Sequence, residues 1–339
     1  MAPLSDGAAL RAESREQVTR MSARERAGIV YALLCAVNGG FVPAVANVTT
    51  RAGDPMVVTV VTTWFAGAAA LSVLALRGRL ARLFRPSQVP ALVILGALGT
   101  SLAFTLFFAG AARASAIETL LCLQIEPVYA LVLSWAVLKV RPTVERIAAT
   151  GMILSGLLVA LGLEGLAVGT GSWYLLATPL CWQVSHLVVL RWLGGTPADV
   201  LAAARYVWGG ALLTIVMGWD AVELLEPGRW PAFPWGWVAL QGLVLSYGGT
   251  MLWYAALTRI DLARATVLVV PTVPILSLLT SLVLVGEVPS SRQVLGVMLT
   301  VVGVYVFARR GVVQAQTHAP AADGTMQECV GRGRPLTQG

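Results

Sequence analysis

Two apolar stretches decide the fold of this chain: residues 125–138 read IEPVYALVLSWAVL, and residues 273–287 read VPILSLLTSLVLVGE. Each carries a proline near its start, Pro127 in the first and Pro274 in the second, 147 residues later. Each lies in an apolar run of about twenty residues, the length that an α-helix needs to cross about 30 Å of hydrocarbon. Because proline removes a backbone hydrogen bond within a helix, the two stretches predict membrane-spanning helices with a break.

Ten apolar runs of this kind are found along the chain. They lie at about 28–46, 56–76, 90–112, 117–138, 147–166, 173–191, 199–218, 236–257, 265–285 and 292–308. Of the 339 residues, 57% are hydrophobic and only 12% are charged, whereas about 25% of a soluble domain is charged. This composition excludes a soluble enzyme, and the length of the runs excludes an outer-membrane barrel, whose alternating segments have about ten residues. The predicted fold class is an all-α membrane protein with ten transmembrane helices.

The basic residues predict the orientation of these helices. The net charge is +7, but the arginines lie mostly between apolar runs, which indicates a membrane topology and not a nucleic-acid partner. With the N-terminus inside, the inner loops hold ten Arg or Lys residues and the outer loops hold four. Cytoplasmic loops of membrane proteins carry the excess of positive charge. We therefore expect both termini to be cytoplasmic, in the cell (inner or plasma) membrane.

The two halves of the chain match each other at nearly constant offsets. Pro127, Pro142 and Gly156 recur as Pro274, Pro289 and Gly303, and Gly53, Pro55 and Gly67 recur as Gly195, Pro197 and Gly209. Proline and glycine fix backbone behaviour, so their shared positions carry more weight than apolar matches. The pattern predicts a five-helix repeat at 28–166 and a second at 173–308, flanked by disordered cytoplasmic tails at 1–27 and 311–339. An odd number of spans inverts the second repeat in the membrane, as in many secondary transporters.

The two stretches quoted first resemble the signature segments of EamA-type carriers of the drug/metabolite transporter superfamily. The shared features are Glu126-Pro127-Val128 in the first half and Gly286-Glu287 in the second. The first half departs from the pattern with Lys139-Val140 in place of Gly-Glu, and the second has Val273 before its proline. The resemblance implies a ten-helix carrier with a central cavity, in a family that often exports amino acids, metabolites or drugs.

Ionisable residues within the spans are the first candidates for a transport site, because charge in hydrocarbon costs about 2.5–3.5 kcal/mol. Glu126 lies near mid-membrane beside Pro127, where it could bind a cationic group, exchange a proton, or hold the helix break. Arg205 could clamp a substrate carboxylate or extend its charge towards the membrane surface. His186 could relay protons or serve as a hydrogen-bonded packing residue.

A second set of candidates is polar or aromatic. Asn38, Gln183, Gln241 and Tyr247 could line a pore or hydrogen-bond between helices. Tyr129 and Trp253 could stack on an aromatic ligand or lie over a cation, or they could pack against other helices and lipid. Two further acids are expected at helix ends: Glu118 in the capping-box spacing Ser115-x-x-Glu118, and Glu287 in a turn.

Signatures of other functions are missing from the sequence. It has no P-loop, no catalytic or haem motif, and no metal-binding cysteine pair, so no catalytic residue, cofactor or metal is expected. We predict a secondary transporter, not an enzyme, that exports a small amphipathic metabolite, amino acid or drug. Its partners would be that molecule, the lipid bilayer and, if transport is coupled, protons. The alternatives are a non-transporting receptor or scaffold, and a sugar-phosphate or nucleotide-sugar exchanger; the exchanger would favour several buried basic residues.

Overall fold

The computed structural model describes residues 23–137, 139, 141–162, 169–217, 230–260 and 262–317. Within these residues the chain is helical and contains no β-strand. The outer parts of the predicted tails, 1–22 and 318–339, lie outside the described residues, as do 163–166 at the end of the fifth predicted span and position 140. Helix in the described residues begins at Ala23 and ends at Thr317, and so includes the inner parts of both predicted tails.

The described residues of the first half form six helices, besides a 3₁₀ turn at Leu80–Phe84. They are α1 Ala23–Ala52, α2 Pro55–Leu76, α3 Val89–Ala111, α4 Ala116–Leu123, α5 Glu126–Ala136 and α6 Val144–Leu161. Residues Ala97–Leu102 within α3 are π-helical. Asp54 caps α2 by accepting hydrogen bonds from the amides of Met56 and Val57, with Pro55 at the first helical position. This Asp-Pro start satisfies backbone donors that a helix cannot pair internally.

The second half follows a similar order, with seven helices among its described residues because its third span is divided in two. It comprises α7 Thr170–Trp192, α8 Ala198–Val216, α9 Trp235–Ala239, α10 Gly249–Leu257, α11 Leu262–Val269, α12 Thr272–Thr280 and α13 Ser291–Thr317. The π-helical residues Leu240–Gly248 join α9 to α10, and Ser281–Val285 extend α12. Both halves thus carry a π-helical stretch in the third of their predicted spans, a feature that is frequent at functional sites.

Seven segments in the described residues are long and apolar enough to cross a membrane. They are Ala23–Ala52, Pro55–Leu76, Val89–Ala111, Ala116–Ala136, Val144–Leu161, Thr170–Trp192 and Ala198–Val216. These seven coincide with the first seven predicted spans. The eighth and ninth predicted spans fall on interrupted helices and the tenth on α13, so the number ten remains a prediction.

Helix is interrupted a few residues before each of the two prolines, and in the second half Pro271 lies in the interruption itself. Helix stops at Leu123 and resumes at Glu126, with Pro127 in the first turn of α5. In the second half, helix stops at Val269 and resumes at Thr272, with Pro274 in the first turn of α12. A proline in the first turn costs little, because amides there have no partner within their own helix. At the first break, the carbonyls of Leu121 and Cys122 accept hydrogen bonds from the amides of Gln124 and Ile125, at 3.1 Å and 3.4 Å.

Glycines bring the helices of the two halves into close contact. Gly156 of α6 lies against Gly296 and Thr300 of α13, and Gly303 of α13 lies against Ala149 and Ile153 of α6. The later residue of α6, Gly156, contacts the earlier part of α13, and the later residue of α13, Gly303, contacts the earlier part of α6. The two helices therefore run antiparallel. Such small residues allow close backbone approach between membrane helices.

The interior is packed where α2, α3, α7 and α8 meet, around aromatic side chains such as Phe104, Phe107 and Tyr206. Many large apolar side chains point outward instead, among them Val132, Trp135 and Ile215. An apolar exterior is what a lipid environment requires. The fold therefore buries its few polar residues between helices and presents an apolar surface to the bilayer.

Candidate functional site

Glu126 lies at the centre of the candidate site. The break between α4 and α5 places it in the first turn of α5. Its Oε1 accepts a hydrogen bond of 2.8 Å from Nε2 of Gln183 on α7. Its second carboxylate oxygen has no hydrogen-bond partner among the described residues. One oxygen of Glu126 is thus held in place, while the other is available to a ligand.

An apolar cavity of about 400 Å³ adjoins this carboxylate. It is lined by Gly39, Val42, Pro43, Leu120, Leu123, Gln124, Glu126, Pro127, Ala130, Trp182, Gln183, Val269, Val270, Val273, Val304 and Phe307. The residues come from both halves of the chain and include residues on either side of both helix breaks. Most of the lining is aliphatic, so the cavity suits an apolar group of a small molecule.

A second, more polar cavity of about 270 Å³ also has Glu126 in its lining. It is lined by Val42, Phe104, Phe107, Glu126, Trp182, His186, Arg205, Tyr206, Gln241, Leu245, Ser246 and Thr250. Val42, Glu126 and Trp182 belong to both linings, so the two cavities adjoin. Among the described residues that line the two cavities, Glu126 is the one acidic residue and Arg205 is the one arginine.

Arg205 is held by one backbone contact. Its Nη2 donates a 2.7 Å hydrogen bond to the carbonyl of Gly99, which lies in the π-helical stretch of α3. Among the described residues, no carboxylate lies within ion-pair distance of its guanidinium. Because arginine has five N–H donors, most of its capacity remains unused.

Three of the residues that line the polar cavity carry a buried side-chain atom without a hydrogen-bond partner among the described residues. These atoms are Nε1 of Trp182, Nε of Arg205 and Oε1 of Gln241. Buried polar groups in folded proteins are nearly always paired, so three orphans around one cavity call for an explanation. A polar ligand would supply the missing partners.

The structure thus brings five of the sequence candidates together: Glu126, Gln183, His186, Arg205 and Gln241. Gln183 lines the apolar cavity, whereas His186, Arg205 and Gln241 line the polar one. His186 has an exposed side chain and makes no hydrogen bond with the described residues. Whether each of these residues acts in transport stays a prediction.

The other four candidates lie outside the linings of these two cavities. Asn38 donates through Nδ2 to the carbonyl of Val244, at 2.8 Å, and so ties α1 to a π-helical stretch. Tyr247 packs edge-on against Tyr206. Trp253 packs against the apolar cluster around Ala32 and Ala36. Tyr129 is half-buried one turn beyond Glu126.

Some cavity residues were not among the sequence candidates. Phe104, Phe107 and Tyr206 line the polar cavity, and none of the three was a candidate. Tyr206, next to Arg205, donates to the carbonyl of Ser246 at 3.0 Å and lies 3.2 Å from the Thr250 hydroxyl. Its only clue in the sequence is its position next to the candidate Arg205.

The two terminal acids lie at helix ends, as their spacing predicts. Ser115 accepts a 3.1 Å hydrogen bond from the amide of Glu118 and so caps α4. The Glu118 carboxylate accepts a hydrogen bond from the Ser172 hydroxyl of α7. Glu287 accepts from the amides of Ala116 and Ile117, at 2.9 Å and 3.3 Å. Glu287 therefore stabilises the start of α4, whereas the Glu118 carboxylate joins α4 to α7.

Comparison with known proteins identifies the family. Residues 26–162 and 169–309 each match the EamA-like transporter family. The chain belongs to this family. It is therefore a multi-pass membrane transporter, with a small-molecule substrate and a lipid environment. The two matched ranges are separate copies of one unit, in agreement with the repeat seen in the sequence.

Two similar proteins add detail to this assignment. A protein of Streptantibioticus cattleyicolor named "Probable terminal-alkyne amino-acid exporter" is 27% identical over 228 residues, which cover 67% of this chain and 75% of that protein. A solved crystal structure aligns with 86% of this chain and 99% of its own chain, at a TM-score of 0.58 and 22% identity. At that identity the structural likeness shows the fold alone.

Proposed function

We propose that this EamA-family transporter exports a small amphipathic molecule, an amino acid, metabolite or drug, by alternating access. The observation that carries the proposal is the position of Glu126, a carboxylate at a helix break where an apolar and a polar cavity adjoin. Sites near the membrane midplane, at broken helices between two repeats, are typical of secondary transporters. The exporter named above supports the direction of transport.

The α6–α13 crossing supports an inverted relation between repeats 28–166 and 173–308. Under the offset of 147 residues, Gly156 becomes Gly303, and its partners Gly296 and Thr300 become Ala149 and Ile153. These are the residues that Gly303 contacts, so the crossing maps onto itself when the halves are exchanged. Because the helices run antiparallel, a two-fold axis that exchanges them must be perpendicular to both. In a membrane such an axis lies in the plane of the bilayer, which is the inverted arrangement of ten spans.

Loop charge supports the orientation that we propose, with both termini in the cytoplasm and the protein in the cell (inner or plasma) membrane. The two cavities disfavour a receptor or scaffold, because such a protein needs neither a buried carboxylate between repeats nor an arginine without an acidic partner. A sugar-phosphate or nucleotide-sugar exchanger would need several basic groups for the phosphates. Arg205 alone supplies an arginine to the described cavity linings.

Transport by purified protein in liposomes tests the proposal. Radiolabelled amino acids, amines and cationic drugs would be offered with and without a pH gradient. We expect Glu126→Gln to insert normally and to lose transport or its response to the proton gradient, because the amide keeps the shape but cannot titrate. Glu118→Gln is the matched control, since Glu118 lies at the start of α4 and outside both cavity linings. Wild-type rate and unchanged pH dependence in Glu126→Gln would contradict a role for this residue in coupling.

A further inference from the structure

A groove of about 500 Å³ lies between α2 and α8 on the lipid-facing surface of the protein. Its lining includes Trp64, Leu71, Ala211 and Ile215, all of which are exposed. Nearly all of this lining is apolar. Because both helices are long and apolar enough to cross a membrane, the hydrocarbon of the bilayer surrounds the groove and has to fill it.

The packing of α2 against α8 determines the shape of the groove. Gly67 and Gly210 leave room between the two helices, where their Cα atoms approach Tyr206 and Thr63 of the opposite helix. The Trp64 indole bridges the helices by donating a 3.0 Å hydrogen bond to the Thr214 hydroxyl. Along α2 the lining extends over residues 63–71, a length of about 12 Å. An apolar groove of this length suits an extended hydrocarbon chain.

One end of the groove leads to a cluster of arginines. Leu71, at that end, lies about 9 Å along α2 from Arg77. Arg77 and Arg79 each form an ion pair of 2.9 Å with Asp199, which lies two helical turns before the groove residue Tyr206 on α8. These ion pairs hold both guanidinium groups beside the junction of the two helices. The arginine side chains are still 52% and 41% exposed, so each has N–H donors open to a further partner.

The loop that follows α2 adds more positive charge beside apolar side chains. Among the described residues, no carboxylate lies within ion-pair distance of Arg82 or Arg85. Leu80 and Phe84 are exposed between these arginines, and Phe84 also packs edge-on against Trp208 of α8. Basic residues beside exposed apolar side chains are typical of segments at the boundary between lipid headgroups and acyl chains. The cluster of residues 77–85 thus sets four arginines against the single carboxylate of Asp199.

We infer that α2, α8 and the arginine cluster bind an anionic phospholipid. Its phosphate contacts the arginines, and one of its acyl chains lies in the groove. The groove residues of α2 lie about 9–21 Å from Arg77 along the helix axis. A leaflet contributes about 15 Å of hydrocarbon, so the groove receives the distal part of the chain. Anionic lipids are attracted to basic segments on the cytoplasmic side, which is the side proposed above for this loop.

Charge favours a lipid over a second copy of the chain as the occupant of the groove. Two copies that docked through this surface in the same membrane would bring their arginine clusters to the same face of the bilayer. Juxtaposed like charges disfavour such a contact. An apolar groove gains little free energy by exchanging one hydrocarbon chain for another, so the arginines determine which lipid binds.

Photocrosslinking of the purified protein in detergent micelles tests this inference. The probe is phosphatidylglycerol with a diazirine in the distal half of one acyl chain, and the labelled residues are mapped by mass spectrometry. We expect the label in residues 63–71 and 206–215. Unlabelled phosphatidylglycerol should compete at least about tenfold better than phosphatidylcholine with the same acyl chains, because each nearby arginine favours an anionic lipid by about fivefold.

A double variant, Arg82→Gln with Arg85→Gln, tests the contribution of the charge. It removes two headgroup partners and leaves the ion pairs of Asp199 in place. The apparent affinity for the probe should fall by about fivefold or more. Arg51→Gln with Arg292→Gln is the matched control, because it removes the same charge from two exposed arginines outside the cluster. Its affinity should equal that of the wild type.

A second double variant, Ala68→Leu with Ala211→Leu, tests the groove itself. Both alanines are exposed and line the groove, so larger side chains fill it without entering the packed interior. Labelling of residues 63–71 and 206–215 should be lost. Ala148→Leu is the control, because Ala148 is exposed on α6 and lies outside the lining of the groove. Labelling of this control should be unchanged.

Several results would overturn the inference. Label spread evenly over the lipid-facing helices would show that no defined lipid site exists, and equal competition by phosphatidylcholine would exclude selection by charge. Wild-type affinity in folded Arg82→Gln with Arg85→Gln would contradict the headgroup contact. A dimer that is lost when the groove is filled would assign the groove to a second copy. If a variant does not fold, the labelled residues and the lipid preference of the wild type decide alone. Transport assays are not needed for any of these outcomes, so the proposed function stands or falls separately.

Discussion

Replacement of Gly156 by alanine should loosen the crossing between α6 and α13. A Cβ atom at this position would lie 2.6 Å from the carbonyl oxygen of Gly296 and 2.8 Å from the amide nitrogen of Thr300. Both are backbone atoms, so no side-chain rotation can relieve the contact. To reach an ordinary separation of 3.4 Å from that carbonyl, the two helices must move apart by about 0.8 Å at the crossing.

A displacement of this size sets the expected loss of stability. A gap of 0.5–1 Å removes about a quarter to a half of the dispersion attraction of each contact across the interface. Overpacking of well-packed sites costs about 1–3 kcal/mol. Alanine also has a higher helix propensity than glycine by about 0.8–1.0 kcal/mol, which partly conceals this cost in a single variant.

Gly151 provides the matched control, because it lies in the same helix and a Cβ atom there would meet nothing within 4 Å. Gly151→Ala gains the same helix propensity without the steric contact. The difference between the two variants therefore isolates the cost at the crossing, which we expect to be about 1–3 kcal/mol. Gly303→Ala should behave like Gly156→Ala, because the repeat places it in the equivalent contact.

The assay is reversible unfolding of the purified protein in mixed micelles of mild detergent and dodecyl sulfate, with the free energy of unfolding taken from the transition. Size-exclusion profiles would verify that each variant enters the titration as a single folded species. If Gly156→Ala and Gly151→Ala have equal free energies of unfolding, the inference that the two backbones are in close contact at the crossing is wrong. If Gly156→Ala is destabilised and Gly303→Ala is not, the exchange symmetry of the crossing is wrong.

Three further predictions concern loops and helix ends. In a cysteine-free background, cysteine introduced at Phe233 should react with an impermeant maleimide from outside, and cysteine at Arg82 only after permeabilisation; the opposite pattern would reverse the orientation. Asp199→Asn should lower the free energy of unfolding by about 1–3 kcal/mol, because the buried carboxylate forms ion pairs of 2.9 Å with Arg77 and Arg79. An unchanged unfolding transition would show that these ion pairs do not stabilise the fold. Glu287→Ala should speed amide hydrogen exchange at the start of α4, where its carboxylate accepts two backbone hydrogen bonds, and unchanged exchange there would contradict that capping role.

Local features of this structure could be predicted from sequence where the cause is itself local. The break before Glu126 follows from Pro127, which has no N–H to donate to the carbonyl four residues earlier. The cap at Ser115 follows from the spacing of three residues between its hydroxyl and the amide of Glu118, from which that hydroxyl accepts a hydrogen bond. In both places the interacting atoms belong to residues that are close in sequence, so the spacing of those residues is enough to predict the local structure.

The composition of the candidate site could not be predicted in the same way. The pairing of Glu126 with Gln183 joins residues that are 57 positions apart, and it depends on how α5 and α7 pack. Asn38 and Gln241 look alike in sequence, as lone amides within apolar runs. Asn38 is satisfied by a carbonyl of the π-helical stretch 240–248, whereas the Gln241 side-chain oxygen has no partner among the described residues. No pattern in the sequence predicts the π-helical register that distinguishes the surroundings of these two amides.

The departures from family pattern in the first half make the two halves chemically unequal. Gly286 ends its helix with φ of +70°, and Lys139, at the equivalent position, has φ of +58°. Glycine adopts this left-handed backbone freely, whereas a side chain makes it costly by about 1–2 kcal/mol. After Gly286 comes Glu287, which caps α4; after Lys139 comes Val140, which has no carboxylate. In the proposed mechanism, exchange of the two halves would therefore not recreate the capping contact, and the two access states need not be equal in free energy.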